Sequence, residues 1–204
     1  MNKKIASLLA LFIAQVIYSS CCKQDSNGGV YERSFKSVSV QAWNTLGFQN
    51  KIVEGTVPKF AFGLGIDFQF EDRQISFNNP KSNVGSFGFN NAMALGCARD
   101  RIFKYNDLVD SIEIVVIDVF NDTRTNISKD FYTSKNTTIN EQIISESMTI
   151  LQNIGNNQRY YVTTNYLVDL VGGDNVPDSA IFEVTVYLRS GMTLTNRTKQ
   201  IDFS

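Results

Sequence analysis

Apolar and polar residues alternate along much of the chain with a period of two. Residues 59 to 70 read KFAFGLGIDFQF, in which Phe60, Phe62, Leu64, Ile66, Phe68 and Phe70 take every second place. Successive side chains of a strand point to opposite faces, so this segment predicts a strand with one wholly apolar face. Ala61, Gly63, Gly65, Asp67 and Gln69 occupy the other face. Val38, Val40 and Ala42 alternate with polar residues and predict an earlier strand over 35–43, ending at Trp43. Glu71-Asp72-Arg73 reads as a turn into a short returning strand through Ile75 and Phe77. Pro80 stops that strand, because proline cannot donate to a ladder. AMALGCA at 92–98 predicts a buried strand, and DSIEIVVIDVF at 110–120 predicts one covered on both faces. Residues 160–170 return to strand and 174–178 read as a turn. Phe182, Val184, Val186 and Leu188 alternate before Ser190-Gly191, and Met192, Leu194, Ile201 and Phe203 continue the pattern as a C-terminal hairpin.

One segment has the helical period instead. Ile144, Met148 and Leu151 fall at i, i+4 and i+7. Thr138-Ile139-Asn140-Glu141 fits a capping box, and Gly155 supplies a stop, so a helix is predicted over 139–154. Roughly eight strands, one short helix and no alternation of strand with helix predict a mainly β fold. The expected architecture is an antiparallel β-sandwich, Ig-like or related, forming a single domain over residues 31–204.

The N-terminus follows neither period. Lys3 and Lys4 precede an apolar run from Ile5 to Ile17, then Ser19, Ser20 and Cys21. A membrane-spanning helix needs about 20 apolar residues, so this run is short for a span and fits a signal peptide over residues 1–20. Ser19-Ser20-Cys21 resembles the lipobox of bacterial lipoproteins, although Tyr18 stands where an aliphatic residue is usual. The resemblance implies cleavage before Cys21 and lipidation of that residue. Several acyl chains on one cysteine give stable anchoring. Residues 21–30 then comprise the lipidated cysteine and a polar, flexible tether. Lys23-Gln24-Asp25 partly resembles the charged signal that sends lipoproteins of Bacteroidetes to the cell surface; a plain solvated tether is the alternative. The predicted location is the cell envelope at the outer membrane, with surface and periplasmic placement both open.

Composition narrows the chemistry. Lys and Arg number 19 against 20 Asp and Glu, a formal net charge of −1, and no basic patch marks a nucleic-acid partner. Histidine is absent, which excludes Ser-His-Asp and Cys-His catalysis and His-ligated zinc. With Cys21 lipidated, Cys22 and Cys97 remain as a candidate disulfide in an oxidising envelope; a buried Cys97 thiol is the alternative. No phosphate-binding glycine loop is present, so no cofactor and no metal are expected. Asp110, Glu113 and Asp118 lie along one strand, but Glu113 and Asp118 differ in parity and point to opposite faces, against a hydrolase pair. Asp118, Asn121 and Asp122, and again Asp174, Asn175 and Asp178, offer oxygen ligands of the kind calcium takes. Neither stretch matches an EF-hand, and such residues are common in turns.

Four N-x-[ST] matches begin at Asn121, Asn126, Asn136 and Asn196. Asp110-Ser111-Ile112 and Asp178-Ser179-Ala180 resemble the O-glycosylation motif of Bacteroidetes envelope proteins, making Ser111 and Ser179 candidate acceptors. The SSCC start, the ALGCARD segment before DSIEI, and the closing FEVTVYLRSGMTLTNRTKQIDF together resemble a family of Bacteroidetes lipoproteins known only as a domain of unknown function. The resemblance implies an envelope lipoprotein of sandwich type and carries no catalytic residues. The expected role is therefore non-enzymatic binding or structure, with the membrane as partner through the anchor and a glycan or envelope protein as further partner. A glycan-binding accessory protein is the alternative, and a carboxylate-dependent hydrolase the third reading. For the ribbon at 59–70 the test is at Gly63 and Gly65: side chains packed over them mean a structural role, and an open floor means a pocket.

Overall fold

A computed structural model describes residues 29–47, 49–77, 102–156 and 161–204. The signal-peptide segment, Cys21, Cys22, Cys97 and the strand expected at 92–98 lie outside them. The chain divides into two compact units, Met1–Glu32 with Arg73–Lys104, and Arg33–Asp72 with Tyr105–Ser204. In the described part of the first unit, the rings of Tyr31 and Phe103 meet at 5.8 Å.

In chain order the strands are β1 (Gly29–Asn44), β2 (Lys51–Ile52), β3 (Thr56–Val57), β4 (Phe62–Phe77), β5 (Ile102–Tyr105), β6 (Val109–Asp118), β7 (Arg124–Asn126) and β8 (Phe131–Thr133). The helix α1 (Ile139–Gly155) follows, then β9 (Asn165–Leu170), β10 (Ser179–Leu188), β11 (Thr193–Arg197) and β12 (Ile201–Phe203). One sheet runs β2-β1-β4-β9-β8 with β5 also on β1; the other runs β3-β12-β10-β6-β7 with β11 also on β10. β12 and β3 pair in parallel, whereas β10 pairs antiparallel with β6, β11 and β12. The fold is mainly β, an antiparallel sandwich with one α-helix among the described residues, as the alternation predicts.

In the second unit the two sheets share one core. Phe62 of β4 stacks on Phe182 of β10 at 4.7 Å, and Phe203 and Phe131 meet Phe62 edge-on at 5.2 and 6.5 Å. Leu64 and Ile66 of β4, Ile112 and Ile114 of β6, and Val184 and Val186 of β10 continue the buried faces. Each such side chain contributes about 1.5–3 kcal/mol when fully buried, so the alternating faces account for most of what holds the sheets together.

Three expectations change in detail. The apolar ribbon begins inside a 3-10 turn, Lys59–Ala61, entered from Pro58, and the turn throws Phe60 outward, 80 % exposed. Phe62, Leu64, Ile66 and Phe68 remain buried and Phe70 packs against the core. The turn expected at 71–73 does not form; β4 runs on to Phe77 as one 16-residue strand. The helix starts as predicted, with Thr138 accepting from the Glu141 backbone and Glu141 reaching back to the Thr138 backbone. Its buried face, however, is Ile139, Ile143, Ser147 and Ile150, while Ile144, Met148 and Leu151 are exposed.

The glycine lane of β4 is filled. A Cβ on Gly65 would lie 2.4 Å from the indole nitrogen of Trp43, and one on Gly63 would lie 2.8 Å from the Val168 carbonyl oxygen. A neighbouring side chain and a neighbouring backbone occupy the space that these glycines vacate. At Gly63 and Gly65 the ribbon is therefore structural, with no open floor.

Candidate functional site

One groove of the second unit with polar side chains in its lining arises where a strand outruns its neighbour. β6 has 10 residues, but β7 pairs only with Val115–Ile117. The unpaired stretch of edge is met by other groups. Asn140, in the first turn of α1, accepts from the Ile112 N–H at 2.9 Å and donates to the Ile112 carbonyl at 3.1 Å. Ser128 Oγ accepts from the Ile114 N–H at 2.8 Å, and the Ile127 N–H donates to the Ile114 carbonyl at 2.9 Å. Between these inserted groups and the outer face of β6 and β10 lies an open groove of about 630 Å³.

A chain of hydrogen bonds crosses its floor. The Tyr187 hydroxyl donates to Glu113 Oε2 at 2.8 Å, and Asn126 Nδ2 donates to Glu113 Oε1 at 2.7 Å. Asn126 Oδ1 in turn accepts from the Ser128 N–H and hydroxyl at 3.0 and 2.8 Å. Four residues, on β10, β6, β7 and the following 3-10 turn, are thereby locked together. The Glu113 carboxylate raises the pKa of the Tyr187 hydroxyl, through the hydrogen bond first and its charge second. Lys129 is exposed on the rim and forms no ion pair among the described residues.

The register of the floor is irregular. Tyr187 faces Ser111 and Leu188 faces Val109, leaving Asp110 without a partner on β10. Such a bulge bends a strand and re-aims its side chains. Here it sits beside the Tyr187–Ser111 pair that ends the groove.

The structure places the residues singled out from sequence as follows. Ser111 lines the groove and is half-buried. Ser179 is 5 % exposed; its hydroxyl donates to Asp202 at 2.7 Å and accepts from Gln200 at 2.9 Å. Glu113 is the one acid lining the groove, whereas Asp118 is spent on its own turn, accepting from the Phe120 N–H and the Asn121 side chain at 2.8 Å each. The two acids are not brought together. Of the second acid–amide cluster, Asp178 pairs with Lys59 at 3.0 Å, and Lys59 also donates to the Val176 carbonyl at 2.6 Å. Among the described residues no group of three acidic, histidine or cysteine side chains is placed to hold a metal ion. In the sequence, Asn126 and Ser128 stand out only as an N-x-[ST] match and Asn140 only within the capping box, while Tyr187 carries no signal; their meeting with Glu113 and Ile112 depends on packing between elements.

No protein-family model matches the chain, and neither a curated protein nor a solved structure does.

Proposed function

We propose that the chain is a lipid-anchored protein of the cell envelope, held at the outer membrane, with a non-enzymatic binding or structural role. The observation that carries this reading is the order of segments at the N-terminus. A basic and apolar leader ends in Ser19-Ser20-Cys21, and a short polar stretch follows before β1 begins at Gly29. An acylated cysteine followed by a tether and then a sandwich is the arrangement of a domain displayed from a membrane. Metabolic labelling with an alkyne analogue of palmitate tests it. Label is expected on the wild-type chain and not on Cys21→Ala; an unlabelled wild type, or label that survives the substitution, refutes the anchor. Protease treatment of intact cells separates surface from periplasmic placement.

A second reading, a glycan-binding accessory protein, is favoured by one observation. The groove on the outer face of β6 presents amide, hydroxyl and carboxylate groups already fixed by one another. Preorganised polar groups lose little freedom when a ligand replaces water.

A further inference from the structure

We infer that the groove floored by Ser111, Glu113, Asn126 and Tyr187 binds a neutral saccharide through a pair of adjacent hydroxyls. This rests on the glycan-binding reading and is independent of the anchor.

The argument begins with the hydrogen-bonding capacity left over. Each carboxylate oxygen of Glu113 accepts one bond, from Asn126 or Tyr187, and retains a further lone pair. Asn126 spends one N–H on Glu113 and its oxygen on Ser128, so its second N–H remains. A fixed acceptor beside a fixed donor matches two neighbouring hydroxyls of a sugar ring, one donating to Glu113 and the other accepting from Asn126. Ser111, the cross-strand partner of Tyr187, adds a hydroxyl that can do either.

Other ligand classes fit less well. A phosphate, sulfate or uronate would meet the Glu113 carboxylate as well as Lys129, so the groove offers it no net positive charge. A cation would find one carboxylate, already bonded twice, with Lys129 on the same groove. For an apolar ligand the groove holds two large apolar side chains, Ile112, which is 1 % exposed, and the Tyr187 ring, among polar neighbours that would lose water without a partner. The bulge at Asp110 is the second observation: β6 spends a residue without a partner on β10 directly beside the Ser111–Tyr187 pair of the floor.

The full chain is probed on an array of neutral oligosaccharides (gluco-, manno-, galacto- and xylo-configured) beside uronate-containing and sulfated ones. Hits are then titrated calorimetrically. The expected result is binding to neutral members, weakened at least about tenfold by Glu113→Ala, since a hydrogen bond to a charged group is lost. Ser111→Trp should abolish binding by filling the groove. Glu113→Gln keeps the shape of the side chain and serves where either variant fails to fold; Phe60→Ser, away from the groove, should bind as wild type. A blank array overturns the glycan-binding reading itself. Hits that bind Glu113→Ala, Glu113→Gln and Ser111→Trp unchanged leave that reading standing and overturn the groove. Hits confined to uronates or sulfated sugars overturn the neutral class.

Discussion

Gly65→Ala isolates the contact that fills the lane on β4. The new methyl would meet the Trp43 indole at 2.4 Å from Nε1 and 3.1 Å from Cδ1, well inside ordinary contact. The position is plain strand, so no backbone strain is added. Alanine even restricts the unfolded chain, a gain of about 0.4–1 kcal/mol. Displacing a packed ring costs about 1–3 kcal/mol, so the net expectation is a loss of about 1–2 kcal/mol. Urea unfolding followed by far-UV circular dichroism measures it. In a Trp43→Ala background the obstacle is gone and the cost should vanish or reverse, giving a coupling well above the ~0.5 kcal/mol of independent sites. Gly63→Ala behaves differently, because its nearest obstacle, at 2.8 Å, is the Val168 carbonyl on the paired strand. That cost should persist without Trp43. Trp43 is the one tryptophan of the chain, so its fluorescence should shift on Gly65→Ala. Equal costs for Gly65→Ala with and without Trp43 refute the reasoning.

Two further predictions concern the helix and the outer sheet face. Ile144→Ser and Met148→Ser should change unfolding free energy by less than about 0.5 kcal/mol, as surface changes do, while Ile143→Ala should cost about 2–5 kcal/mol; chemical denaturation of the three variants decides which stripe faces the core. Burial pushes the Glu183 carboxyl up, but Arg197 and Arg124 outweigh this and hold it below its ordinary value of 4.5. A carboxyl lowered on folding contributes stability that is present above the unfolded value and lost as pH falls through the folded one. Thermal melts should therefore decline below about pH 4.5 with a slope that Glu183→Gln reduces, and an unchanged slope would show that the two arginines do not stabilise this acid.

The sandwich was legible because its longest strands bury one face each, and period-two alternation states that directly. Phe182 to Leu188 and Phe62 to Phe68 needed no tertiary information. Phe60 did not follow, because the alternation continues unbroken through a turn in which strand parity no longer applies. The helix carries two apolar stripes. Ser147 interrupts the one that is buried, where its hydroxyl donates to the Val109 carbonyl at 3.4 Å, so the more regular stripe looked like the core. The groove was illegible for a different reason. Glu113 stood out as an acid within an apolar strand, yet its partners lie 13 and 74 positions away and acquire meaning only after β7, β10 and α1 have docked.

Asn140 reaches the edge of β6 with an amide that donates and accepts as a peptide unit does. It thus imitates one residue of a strand that is not there. An exposed half-edge beside a stretch as rich in Ile and Val as 112–117 is a template for recruiting a second chain. By occupying the template with a side chain that cannot propagate, the helix start acts as a guard against strand-by-strand aggregation.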